Sequence, residues 1–180
     1  MKKILGICGS ASQNSSNLSI LKTIGKQLPD DYRLIINDGL HELPHFQTEL
    51  TDKNTPEQII QLRNRIADSD AVLISTPEYI FSIPARLKNV LEWCVSTMVF
   101  SEKPVGIITA SAHGKSGHGE LIHILNTIQA RLDDTTMLLI QGVKGKINDQ
   151  GEITHKETMK SITNFAAAFI VLIEKSYSIK

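Results

Sequence analysis

Short apolar runs alternate with helical periodicity along the whole chain, and this alternation limits the possible folds more than any other feature. Ile4 to Cys8, Tyr32 to Asn37, Ala71 to Ser75, Val105 to Thr109 and Thr136 to Gln141 are short, apolar and bounded by glycine, proline or polar residues, as strands are. Between them, residues recur at helical spacing, nearly all of them apolar: Leu18, Leu21, Ile24 and Leu28; Ile59, Leu62, Arg63 and Ile66; Leu87, Val90, Leu91 and Val95; Leu121, Ile124, Leu125 and Ile128. A last helix is expected through Met159, Ile162, Phe165, Phe169 and Leu172, its apolar stripe covering one sheet face. Such an order predicts an α/β fold, a doubly wound parallel sheet with helices on both faces, because right-handed crossovers return each strand beside an earlier one. Ligands on these sheets bind beyond the carboxyl ends of the strands. The loops after strands one, three and four are therefore the places to look for chemistry.

Length and charge narrow the partner. A chain of 180 residues, 41% hydrophobic, suits one globular domain over 1–180. Nineteen basic and nineteen acidic residues give zero formal charge, which argues against nucleic acid or an anionic membrane and for a small-molecule ligand. The longest apolar run, Phe165 to Ile173, falls far short of the roughly 20 residues needed to span a bilayer. Met1-Lys2-Lys3 leads into no signal-peptide core, so a cytoplasmic protein is expected. Cys8 and Cys94 make neither a zinc spacing nor a disulfide framework, and Cys8 reads as a small buried hydrophobe. Nor do the histidines suit a metal, since His41 and His45 enclose Pro44 while His113, His118 and His123 recur at fives rather than fours.

The first loop, Gly9-Ser10-Ala11-Ser12-Gln13-Asn14-Ser15-Ser16-Asn17, places four serines and two asparagines between a strand end and a helix start. A helix amino terminus offers unpaired N–H groups and a partial positive charge, so this loop is either an anion site suited to phosphate or a set of residues competing to cap the helix. Other nucleotide and nucleophile signatures fail. No third glycine follows Gly6 and Gly9 to complete a dinucleotide turn, and Thr109 stands where a triphosphate loop ending in Gly114-Lys115-Ser116 needs glycine. His118 likewise breaks a hydrolase serine elbow.

The loop after strand three, Pro77 to Pro84, carries two prolines and, in a row, the large side chains Tyr79, Ile80 and Phe81, where a plain connection needs none. Taken in order, Gly9-Ser10 with Ser15 and Asn17, then Pro77-Glu78-Tyr79-x-x-Ser82-Ile83-Pro84-x-x-Leu87-Lys88-Asn89, then Trp93, the chain resembles the NADPH-dependent FMN reductase family of flavodoxin-like flavoproteins. That resemblance implies a five-stranded sheet in the order 2-1-3-4-5, bound FMN, NADPH or NADH as electron donor, a small-molecule electron acceptor such as a quinone or free flavin, and a homodimer or homotetramer. It also implies that Ser10, Ser15 and Asn17 hold the phosphate, with Ser12 nearby and backbone amides of Ser16 and Leu18 assisting. Pro77, Glu78, Tyr79, Ile80, Phe81 and Ser82 would then cradle the flavin ring, flanked by Ser111, Ala112, His113 and Gly114.

The chain departs from the family pattern at three positions. Ser12 stands where arginine is usual, and Ile80-Phe81 replaces asparagine-glycine after the tyrosine. A flat ring with one apolar and one polar end needs apolar walls and backbone donors together, and Pro77 and Pro84 would stiffen such a seat at both ends. Tyr79 either walls the ring or packs beneath the loop; Ile80 and Phe81 are either ring contacts or, with a helix expected from Ala85 to Met98, part of a two-fold interface. Hydride transfer to a flavin needs little acid–base help, so no general base is assigned, and Glu78 is read as a hydrogen-bonding residue. One phosphate site favours FMN over FAD. The alternatives are a flavodoxin-type electron carrier, which is usually strongly acidic, and a non-catalytic FMN-binding sensor.

Overall fold

The computed structural model describes residues 1–37 and 39–177. Five parallel strands, β1 (Lys2–Cys8), β2 (Tyr32–Asn37), β3 (Ala71–Thr76), β4 (Val105–Ser111) and β5 (Met137–Gln141), lie in the order β2-β1-β3-β4-β5. Helices α1 (Ser16–Gly25), α2 (Glu57–Ala67), α3 (Ala85–Glu92), α4 (Lys115–Thr127) and α5 (Lys156–Tyr177) make the crossovers and the final cover. The doubly wound sheet and its strand order match the expectation.

Side-chain alternation along the strands sorts the core into two layers. Ile4, Leu73, Ile108 and Ile140 face α1 and α5, where Ile20, Leu21, Phe165 and Phe169 cover them. Leu5, Ile7, Val72, Ile74 and Ile107 point the other way, toward Leu62, Leu87, Leu91 and Leu121 of α2, α3 and α4. β3 and β4 are buried along their whole length, as central parallel strands covered on both faces must be. Gly106 on β4 is needed for packing: a Cβ there would stand 2.9 Å from the Phe165 ring and 3.0 Å from that of Phe169.

The elements differ from the sequence reading mainly at their ends. β5 begins at Met137 because Asp133 caps a single 3₁₀ turn over Asp134–Thr136, its side chain accepting from the Thr135 N–H. α3 stops at Glu92 rather than running to Met98, and turns follow it, so Val95 lies beyond the helix and is exposed. The Trp93 carbonyl accepts from the Arg63 guanidinium, which draws the chain out of the helical path and gives Arg63, expected on the apolar stripe of α2, a polar task.

The long connection over 38–56, expected to hold a lid, a subunit contact or a short helix, holds two 3₁₀ turns, Gly39–Glu42 and Thr48–Leu50; Asp38 lies outside the described residues. Its middle is pinned to α3. Asn89 donates to the Pro44 carbonyl at 3.0 Å and accepts from the Phe46 N–H at 2.8 Å, Trp93 Nε1 donates to the same carbonyl at 2.8 Å, and the Phe46 and Trp93 rings meet edge to face.

Candidate active site

Three loops converge beyond the carboxyl ends of β1, β3 and β4. The first begins at Gly9, whose N–H extends the β1–β3 ladder by donating to the Ser75 carbonyl at 2.9 Å. A Cβ at Gly9 would stand 2.3 Å from Thr76 Oγ1, so only glycine lets this loop cross so close to β3. Ser10 is buried; its hydroxyl accepts from the Ser12 N–H at 3.2 Å and lies 3.4 Å from the Tyr79 hydroxyl, which also accepts from the Ala11 N–H. Tyr79 therefore ties the first loop to the second.

Ser15 is the N-cap of α1, with extended backbone and its Oγ accepting from the Leu18 N–H at 3.1 Å. That bond uses the Leu18 amide, one of the two expected phosphate helpers. The N–H groups of Ser15, Ser16 and Asn17 make no protein hydrogen bond among the described residues, as the orphan donors of a helix start do not. The Asn17 side chain is placed differently from expectation. It is buried beneath the loop, donating to the Ala110 carbonyl at 3.0 Å and accepting from Ser75 Oγ at 2.9 Å, so it bridges β3 and β4. What Asn17 offers a ligand is its backbone N–H.

The second loop is a tight hairpin. Tyr79 and Ser82 exchange both backbone hydrogen bonds, and the two residues between them have positive φ, 51° at Ile80 and 58° at Phe81. This is the hairpin geometry that ordinarily selects Asn-Gly, here built from a β-branched and an aromatic residue. Both side chains are turned to solvent, Ile80 95% and Phe81 74% exposed. α4 holds the hairpin from the far side: Glu120 Oε2 accepts from Ser82 Oγ at 2.6 Å and from the Ile83 N–H at 3.0 Å, and Lys88 reaches its other oxygen at 3.4 Å. At the hairpin's start, Thr76 Oγ1 donates to the Pro77 carbonyl at 3.0 Å.

Glu78 makes the return contact. Its carboxylate accepts from the N–H groups of Gly114 at 3.1 Å and Gly117 at 2.8 Å, capping α4, whose own N-cap residue, Gly114, lies at φ 85° and has no side chain to do so. These amides, the Gly117 N–H foremost, hold the Glu78 carboxyl below the ordinary glutamate range, with Gly114, Ser116 and the nearby His113 adding to the effect against some desolvation. Glu78 is thus a hydrogen-bonding residue, as the sequence suggested, and not a free base. Ser111 Oγ donates to the Glu78 carbonyl at 3.4 Å, and His113 is exposed on the third loop. Below this loop His118 Nδ1 lies 2.8 Å from Thr109 Oγ1, and burial pushes its pKa down.

Ser75, Arg86 and Glu120 also belong to this neighbourhood and were not anticipated. Ser75 and Glu120 act on partners far away in sequence, and no local signal marks them. Arg86 does carry one: a cation in the first turn of a helix.

A five-stranded parallel sheet in this order, with a polar helix start facing a strapped hairpin, defines the flavodoxin-like class of α/β proteins. Residues 2–139 match the NADPH-dependent FMN reductase family, and the chain belongs to it. Among curated relatives, the NADH:(hydroxy)cinnamate reductase subunit CrdA of Vibrio ruber is 29% identical over 177 residues, covering 94% of this chain and 86% of that one. A 2-hydroxy-1,4-benzoquinone reductase of a Burkholderia species is 30% identical over 170 residues, covering 91% of each. Among solved structures, the flavoenzyme NAD(P)H:(acceptor) oxidoreductase FerB of Paracoccus denitrificans superposes with a TM-score of 0.85 at 26% identity, covering 98% of this chain and 99% of that one. The chain is accordingly an oxidoreductase of the FMN- and NAD(P)H-dependent kind.

The first loop fits the phosphate of FMN, since unpartnered helix-start amides and the hydroxyls of Ser10, Ser12 and Ser16 suit an anion. No carboxylate side chain lies in residues 9–17 to oppose it.

Proposed function

We propose that the chain takes hydride from NADPH or NADH at an FMN held across the three loops and passes the electrons to a small planar acceptor, a quinone or free flavin. The observation that carries this reading is the pairing of an anion-ready helix start at Ser15–Asn17 with the strapped hairpin at Pro77–Ser82. When bound, FMN supplies the redox chemistry; the protein binds, orients and shields. The Ser15, Ser16 and Asn17 amides, with the Ser10 and Ser12 hydroxyls, take the phosphate. The hairpin backbone and the Ser111–Gly114 loop flank the ring, and Glu78 and Glu120 fix their spacing. Ile80 and Phe81 then stand at the mouth, where an apolar surface favours a planar organic acceptor over a hydrated ion.

The zero net charge supports an enzyme over an electron carrier, whose protein docking benefits from a strong charge of one sign. We also read the chain as a homo-oligomer in a reducing compartment such as the cytoplasm. Exposed Ile80, Phe81, Val95 and Met98 support shared burial, and two unbridged cysteines suit such a compartment. Burial pushes the Cys94 thiol up to about 12, which makes it inert.

The purified protein should bind FMN rather than FAD, lose its visible colour on anaerobic addition of NADPH or NADH, and regain it on addition of a quinone. Failure of both nicotinamides, with photoreduction passing through two resolved one-electron stages, would replace this reading with the carrier. FMN binding with no reduction by any donor would leave the sensor.

A further inference from the structure

We propose that Arg86 is a ligand of the flavin phosphate, supplying from α3 the positive charge that the first loop itself lacks. The inference rests on the reading of that loop as the FMN site and adds to it a residue from outside the loop. Arg86 occupies the first turn of α3, after Ala85, where the helix dipole disfavours a cation. Its side chain is half-buried and reaches across to the first loop, Nη1 donating to the Ser10 carbonyl at 3.3 Å. That is its one hydrogen bond among the described residues, and no carboxylate pairs with it. A guanidinium carries five N–H donors in a planar fork, so four remain unspent beside Ser10.

The surroundings leave that charge unanswered. Arg86 lines a cleft of about 620 Å³ together with Ser10, Ser12 and Gln13. Glu42, the acid among the described lining residues, faces His41 at 3.8 Å. Residues 9–17 contain no charged side chain of either sign. A phosphomonoester near neutral pH carries close to two negative charges, more than the fractional charge of one helix start can balance. An unpaired guanidinium held against the loop that receives such a group supplies the missing charge, and its fork suits phosphate oxygens better than a lysine's point charge. Lys22 and Lys26, which line a cleft together with Ser15 and Ser16, are the competing cations and are tested beside Arg86.

The test compares FMN with riboflavin, which has the same ring and no phosphate, by flavin-fluorescence titration of the apoprotein. Arg86→Gln should weaken FMN binding roughly 10- to 100-fold, the range for losing one charge-assisted hydrogen bond, and leave riboflavin affinity unchanged. Arg86→Lys, which keeps the charge without the fork, should fall between wild type and Arg86→Gln for FMN, and Lys22→Gln and Lys26→Gln should each leave both ligands unchanged. Should Arg86→Gln fail to fold, the Arg86→Lys titration decides alone. Equal losses for FMN and riboflavin would show that Arg86 acts by shaping the loop through the Ser10 carbonyl and would overturn the proposal, as would unchanged FMN affinity. Wild-type protein that binds FMN no better than riboflavin would instead remove the phosphate site itself, a failure of the underlying reading.

Discussion

The Glu78 carboxylate lies 2.8 Å from the Gly117 N–H, so the loop after β3 caps the helix after β4. The contact is close on the reverse side too, since a Cβ at Gly117 would stand 3.2 Å from the Ser82 carbonyl group. Glu120, three residues along α4, holds Ser82 and Ile83 in return. Two carboxylates thus cross-link the hairpin and α4 in opposite directions.

Glu78→Ala removes the cap of α4 and should cost about 1–2 kcal/mol at neutral pH. The dependence on pH follows from the lowered carboxyl: its contribution is complete above the unfolded glutamate value near 4.5 and is lost as pH falls through the lower folded value. His118 acts at milder acidity. Its depressed pKa means that the unfolded chain takes the proton first, so stability begins to fall as pH drops below about 6.5. Urea midpoints measured from pH 7 to 3.5 should therefore decline in two stages, and Glu78→Gln should reduce the lower stage, which the lowered carboxyls of Glu120, Asp133 and Glu174 share, while leaving the upper one. An unchanged lower stage would show that the cap contributes nothing.

Asn17→Asp should unfold the protein more readily rather than act only on ligand affinity. The new carboxylate would face the Ala110 carbonyl in a buried site where an amide N–H now donates, at a cost of about 3 kcal/mol. Asn17→Ala leaves the Ser75 hydroxyl and that carbonyl unpaired and should cost about 2 kcal/mol. Chemical denaturation of the apoprotein is the measurement. Full apo stability with lowered FMN affinity in Asn17→Asp would return the side chain to the phosphate.

Asn17 also marks where sequence reasoning stopped. Spacing placed it at the helix start, and the structure agrees; spacing does not show that its side chain turns inward to join β3 and β4. The strands were legible to within two residues because central parallel strands are continuous apolar runs, and the loops that carry the site followed from strand order. The end of α3 is not legible in its own residues because it depends on Arg63, from another helix, donating to the Trp93 carbonyl. Glu120 carries no local signal because its partner Ser82 lies 38 residues away, and Arg86, marked locally only as a cation in a first helical turn, meets a partner 76 residues away. The unusual Ile80-Phe81 pair was visible as residue types, but its left-handed backbone was not.

Two glycines should respond oppositely to alanine. Gly119 lies within α4 with nothing inside 4 Å of an added Cβ, so Gly119→Ala should stabilise by about 0.5–1 kcal/mol through helix propensity. Gly9→Ala drives a methyl to 2.3 Å from Thr76 Oγ1 and should cost about 1–3 kcal/mol. Thermal melts of the two apoproteins should move in opposite directions. A Gly9→Ala protein as stable as wild type would show that the first loop can lift from β3 without penalty.

The Ile80-Phe81 tip spends stability on what it displays. Left-handed backbone costs roughly 1–2 kcal/mol at each non-glycine residue, more for a β-branched one, and neither side chain recovers this by burial in the single chain. Ile80→Asn with Phe81→Gly restores the residues this turn ordinarily selects, so the double variant should be more stable by about 1–3 kcal/mol in urea at dilute, monomer-favouring concentration. The same change should reveal what the tip is for. If it meets the acceptor, turnover with quinones should fall while FMN affinity and reduction by the nicotinamide stay as they were. If it meets a second copy, sedimentation should show a weaker oligomer and the acceptor kinetics should follow that loss. A variant more stable than wild type and unaltered in both acceptor turnover and assembly would show that the exposed pair serves neither role.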